Sequence, residues 1–201
     1  MNFIQIENQK IPLTDEQAEQ LRKTFVPSTA LSSIKIGETF KIGEYEFIVL
    51  EYDKETTAAI LKNFLGNKST FGSNNNYNGS KVDKICNDFG EKIEAIVGKG
   101  NLIEHTVDLT ADDGLKDYGS VKRKMALITA NTYRRYVDIL EDYKPKCWWW
   151  TATAYSTPKH EDSIWIKCVS PRGDIYGNDY DYSYGVRPFC ILKSNIFVSK
   201  I

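Results

Sequence analysis

Histidine is scarce in this chain: His105 and His160 are the only two in 201 residues, which excludes a three-histidine metal centre. Cysteine is sparse as well. Cys86, Cys147, Cys168 and Cys190 contain no Cys-x-x-Cys spacing, so they read as reduced, buried, small hydrophobes. The alternative, a Cys147–Cys190 disulfide, would need an oxidising compartment. No P-loop, no Gly-x-Ser-x-Gly elbow and no His-Glu-x-x-His pair occurs, so the sequence assigns no catalytic residue, no metal ligand and no cofactor. Nor is there an excess of either charge. Twenty-six basic against 27 acidic residues leave a net charge of −1, which argues against a duplex-DNA binder held by phosphate contacts. The short basic run Lys122–Arg123–Lys124 reads as a solvated face. No apolar run reaches the length of a membrane span, so membrane insertion is not expected. The first twenty residues lack a basic leader followed by an apolar stretch. The expected location is therefore the cytoplasm, or a virion if the gene is carried by a phage.

What the chain does have is aromatic side chains: 12 Tyr, nine Phe and four Trp. Its length suits one well-filled domain. Residues 1–30 read as an appendage, a short strand followed by a helix that opens with a Thr14/Gln17 capping box. A Pro/Ser/Thr-rich connector at 26–33 leads into the main domain, 31–201. There, "IGETFKIGEYEFIVLE" reads as a hairpin turning at Gly43–Glu44, with "TTAAILKNFL" as a third strand. A long Gly/Asn/Ser loop (66–80) follows, of a length that tends to be functional. Ser80 then caps a helix carrying Val82, Ile85, Cys86 and Phe89, which Gly90 is expected to interrupt before a second short helix.

From residue 147 every signal is β. Trp148 and Trp150 should face one side of a strand and Trp149 the other, with each buried indole N–H seeking a partner. "SIWIKCVSPRGDIYGN" reads as a hairpin whose turn accounts for Arg172–Gly173–Asp174 without invoking adhesion. In "GVRPFCIL", Gly185 suggests an irregular backbone, Pro188 a strand start or edge, and Arg187 a tie to a carboxylate. Helices in the first two-thirds and strands in the last third predict an α+β fold.

Taken together, the Gly-Glu-Thr-Phe opening, "DDGLKDYG", "WWWTAT" and "GVRPFCIL" resemble a domain of unknown function common in gut Gram-positive bacteria and their prophages. The resemblance spans about residues 34–199. More distantly, residues 147–193 resemble C-type-lectin-like folds, including formylglycine-generating-enzyme-like domains. This implies a C-type-lectin-like domain encoded by a prophage or mobile element. The chain lacks the close cysteine pair of those enzymes and the calcium-binding triplets of sugar lectins, so neither activity carries over.

The expected site is the stretch "YGNDYDYSY". Tyr176, Asn178, Asp179, Tyr180, Asp181, Tyr182 and Tyr184 have the composition of an antibody-like contact surface. Tyrosine gives rigid area, while Asn and Asp give adaptable hydrogen bonds. Tyr155, His160 and Trp165 are expected to join it from the neighbouring loop and strand, and the 73–80 loop to contribute. The function expected is a non-catalytic module binding an unidentified protein or glycan partner. The alternative is a small cytoplasmic inhibitor of a host defence protein. An enzyme stands third.

Overall fold

Strand β5 (Tyr45–Tyr52) organises the fold because it is apolar on both faces. Phe47 and Val49 point into one core cluster, Ile48 and Leu50 into another. A strand buried on both sides must lie inside a sheet with material above and below. In a computed structural model describing residues 2–6, 9–18, 28–160 and 164–200, that sheet is antiparallel, curled and eight-stranded. Its order is β10 (Met125–Leu127), β14 (Pro188–Lys193), β6 (Thr56–Leu61), β5, β4 (Thr39–Ile42), β15 (Phe197–Lys200) and β3 (Ser28–Ala30), and β7 (Leu102–Ile103) pairs beside β14. The β4–β5 hairpin turns at Gly43–Glu44 as the sequence predicts, with Gly43 at φ 59°.

Each face of this sheet is covered by helix. Helix α1 (Lys81–Val97) lays Val82, Cys86, Phe89 and Ile93 on the Phe47/Val49 face. Helices α2 (Ala130–Arg135) and α3 (Val137–Glu141) cover the Ile48/Leu50 face with Tyr133, Tyr136 and Leu140. The hairpin β8 (His105–Asp108)/β9 (Ser120–Arg123) and a smaller sheet, β11 (Trp149–Ala154), β12 (Trp165–Val169) and β13 (Ile175–Asp179), complete the body. Strands β1 (Asn2–Ile6) and β2 (Gln9–Leu13) pair only with each other among the described residues. Thr14 and Gln17 form the predicted reciprocal cap, and β3 ties residues 28–30 to the main sheet.

The expected α+β, C-type-lectin-like arrangement is overturned. The described chain is mostly β, and its strands come from both halves of the sequence. The hairpins at 39–61 do not make a region separate from the C-terminal strands, because β14 inserts between β6 and β10. The helices are few, and α3 lies wholly beyond the first two-thirds.

One local expectation is also corrected, and another gains a reason. Gly90 does not interrupt α1. The helix runs through it because a Cβ there would lie 2.9 Å from the Met125 Cβ, so glycine allows helix and β10 to touch. Gly185 stands, as expected, in an irregular entry, an isolated bridge to Trp149 ahead of the strand that begins at Pro188. A Cβ there would meet the Phe64 ring at 2.3 Å, so the glycine makes room for a phenyl group.

Candidate binding surface

The smaller sheet decides where the predicted site residues go. In the β12–β13 register, Cys168 opposes Tyr176 and Ile166 opposes Asn178, while Lys167 opposes Gly177 and Trp165 opposes Asp179. Opposed residues share a face. Tyr176, Asn178 and, one step beyond the strand, Tyr180 thus lie on the face of Trp150, whereas Trp165 and Asp179 lie on the other. One expected site therefore becomes two.

On the first face the aromatic rings touch in sequence. Tyr176 meets Trp148 edge-on at 5.3 Å. Trp148 stacks on Tyr184 at 5.7 Å, and Tyr184 stacks on Tyr182 at 5.9 Å. Tyr184 also leans on Trp150 at 4.5 Å. Trp150 is fully buried and donates its indole N–H to Ser69 O at 2.9 Å, which fixes the inner end of the row. The outer members stay accessible, Tyr176 at 42% and Tyr182 at 55% exposure. Trp148 and Trp150 share this side, and Trp149 lies on the other, as strand alternation predicts. Trp149 departs from expectation in one respect: its N–H has no partner among the described residues, and the Arg187 guanidinium stands over its ring at 5.3 Å.

Beside this ridge, the 66–80 loop is tied to the 176–184 stretch. The Phe71 N–H donates to Tyr180 O, and Ser69 and Tyr184 exchange backbone hydrogen bonds. Phe71 and Tyr77 are buried anchors that hold the loop in place. Between loop and strand lies a groove of about 340 Å³, rimmed by Asn74, Asn75 and Asn76 and walled by Tyr118, Tyr180 and Ile164. Asn75 is structural. Its amide donates to Ser156 O at 2.8 Å and Trp165 O at 3.2 Å, and it accepts from the Tyr118 hydroxyl at 2.5 Å. Burial, together with the nearby Asp117 charge, raises the Tyr118 pKa, so that hydroxyl keeps its proton.

The remaining predicted residues serve other contacts. Tyr155 and Trp165 pair edge-on at 5.5 Å on the opposite face, over Gly177 and beside the Lys167 ammonium. His160 Nδ1 lies 3.0 Å from Asp113. The side-chain amide of Asn178 turns inward to Cys168 Sγ at 3.0 Å. Asp179 and Asp181 shape the turn, the Asp181 N–H reaching Asp179 Oδ1 at 3.4 Å, and Asp181 is exposed. The carboxylates of the 108–119 loop are clasps more than solvated turn residues. Asp112 pairs with Lys167 and Arg134, Asp113 accepts from Ser156, and Asp117 accepts from Thr157 and pairs with Lys159.

A second cavity of about 380 Å³ opens on the α2–α3 face of the main sheet. Its carboxylates are already engaged. Glu51 takes the Tyr136 hydroxyl and Arg135, Asp53 accepts backbone N–H groups of Glu55 and Thr56, and Asp108 accepts from Thr110. Half-buried His105 packs edge-on against Phe189. Burial lowers its pKa, and neither enclosed ring nitrogen has a hydrogen-bond partner among the described residues. These residues form no acid–base pair free to act on a substrate.

Sequence reasoning missed Tyr118, Trp148 and Ile164 as members of the surface. The Asn-rich loop was visible, but nothing in the sequence says that Tyr118, some forty residues away, would support it. Compared with known proteins, the chain matches no family model, no curated protein and no solved structure.

Proposed function

We propose that this protein is a non-catalytic binding module that engages a protein or glycan partner through the Tyr176–Trp148–Tyr184–Tyr182 ridge and the adjoining asparagine groove. The observation that carries this reading is the ring-to-ring contact along the ridge. Exposed tyrosines are usually mobile, and ordering them on binding costs about 0.5–1.5 kcal/mol each. Here the row is stacked onto buried Trp150, so much of that ordering is already done in the free protein. Large amphipathic rings held rigid among Asn, Asp and Ser are the chemistry of a recognition surface. The resemblance to a prophage-borne domain fits an encounter with a bacterial surface or a bacterial protein.

The test uses purified protein as bait against separate cytosolic and envelope fractions of its bacterial host, beside a Tyr176→Ala/Tyr182→Ala variant. Both rings are half-exposed, so the variant should keep its melting temperature. A partner captured by the parent should bind the variant at least about tenfold more weakly, in line with loss of two anchor rings. Capture from the envelope supports surface recognition, and a cytosolic target supports the inhibitor alternative. Equal capture by both proteins would remove the ridge from the function.

A further inference from the structure

We infer that the groove between Asn74–Asn76 and Tyr180 is a binding site for a neutral carbohydrate. This rests on the binding-module reading above and gives it a ligand class. In a chain with 26% charged residues, none of the described side chains lining this groove is an acid or a base that carries charge at neutral pH. A phosphate or carboxylate ligand would call for Arg or Lys, and a basic peptide for Asp or Glu. Neither is offered.

What is offered is a pair of oriented donors. Asn74 Oδ1 accepts the N–H of Asn76 at 2.9 Å, and Asn76 Oδ1 accepts the N–H of Asn78 at 3.0 Å. These bonds fix which end of each amide is oxygen and leave the two NH2 groups without a partner among the described residues. The Tyr180 hydroxyl is likewise without one, and it can donate or accept. Between these polar groups stand the Tyr180 and Tyr118 rings, Pro158 and Ile164, the last 40% exposed. A sugar ring presents both complements: hydroxyl and ring oxygens for the amides, and a C–H face for a tyrosine. The groove's volume, about 340 Å³, lies within the usual range for small-ligand clefts, about 300–1,000 Å³. Because Asn75 is locked by three hydrogen bonds to other segments, the rim needs no rearrangement to present Asn74 and Asn76.

The experiment is a titration of the full-length, 15N-labelled protein with maltotetraose, cellotetraose and tetra-N-acetylchitotetraose, with polygalacturonate as a charged comparison. The expected result is that at least one neutral oligosaccharide shifts the Asn74 and Asn76 side-chain NH2 signals. Asn74→Asp/Asn76→Asp keeps the oxygen that closes each turn but removes the donors, and should weaken that binding by about tenfold or more with an unchanged melting temperature. Tyr180→Phe, which retains the ring, should lose only a few-fold; Tyr180→Ala should lose about as much as the double Asp variant.

Three outcomes overturn the inference: no neutral saccharide shifting those signals at about 10 mM, binding unchanged in the double Asp variant, or stronger binding of polygalacturonate. If saccharides fail while partner capture still depends on Tyr176 and Tyr182, the carbohydrate falls and the binding module stands. If both fail, both readings fall. Should the groove amides respond to a captured protein and to no sugar, the site belongs to a protein partner.

Discussion

Arg187 shows how a charged side chain can be structural without an opposite charge. It is 1% exposed, yet no carboxylate among the described residues pairs with it. Its Nε donates to Leu61 O at 2.8 Å and one Nη to Tyr143 O at 3.3 Å, while the guanidinium plane covers Trp149. Burial lowers its pKa to about 10, so it remains charged at neutral pH. It thereby ties the end of β6, the segment after α3 and the tryptophan strand. The sequence identifies a tie but suggests the wrong partner, because residue types reveal a charge and not which backbone carbonyls will be left over. A lysine cannot stack as a plane and serve two carbonyls in different directions. Arg187→Lys should lower stability by about 2 kcal/mol, and Arg187→Ala by about 3–5 kcal/mol, since the alanine also leaves a cavity and unsatisfied carbonyls. Urea midpoints with unchanged slopes would check both, and a lysine variant as stable as the parent would refute the tie.

At the scale of elements, α1 separates what is local from what is not. Its start is legible in the sequence. Ser80 accepts the Asp83 N–H at 3.1 Å, and Asp83 accepts the Gly79 N–H at 2.9 Å while Arg123 holds its carboxylate with two nitrogens at 2.8 Å. Its continuity through Gly90 is not legible, because the reason lies in Met125, 35 residues away. Helix propensity alone makes Gly90→Ala stabilising by about 1 kcal/mol. Against this stands a Cβ placed 2.9 Å from another Cβ, an atom next to the backbone that cannot swing aside. Overpacking of that kind costs about 1–3 kcal/mol, so the clash should win. The expected outcome is a lower melting temperature for Gly90→Ala and no change in helical circular dichroism at low temperature. A more stable variant would mean that helix and sheet can part without penalty. The β-hairpins were likewise legible from alternation and turn residues, whereas the pairing of β14 with β6 and β10 left no local mark.

For the molecule as a whole, acid should act through the clasp between the 108–119 loop and residues 156–160. Hydrogen bonds from Ser156 and from Leu115 N–H, with His160 beside them, hold Asp113 below its ordinary value of 3.8; Lys159 and Thr157 do the same for Asp117. A carboxylate whose pKa is depressed by folding contributes stability above its unfolded value, and that contribution is lost as the pH falls through the folded one. The window therefore lies below about pH 4. Asp113→Asn/Asp117→Asn should be less stable than the parent at pH 6, and the gap should shrink as the pH falls below about 4, as read from thermal melts. A gap that stays constant as the pH falls below about 4 would place the effect of the substitutions elsewhere.

Strand order has a consequence for how the chain is made. The last two described strands, β14 and β15, lie inside the main sheet, one joining β10 to β6 and the other joining β4 to β3. While a ribosome is still reading the codons before residue 188, the β4–β5–β6 meander stands with both edges open, and Phe47, Val49 and Ile60 lack part of their cover. Such a chain cannot fold strand by strand as it emerges. It must wait, with apolar strands unpaired, until residues 188–200 arrive to close both edges, and that interval is when a nascent chain most needs a chaperone.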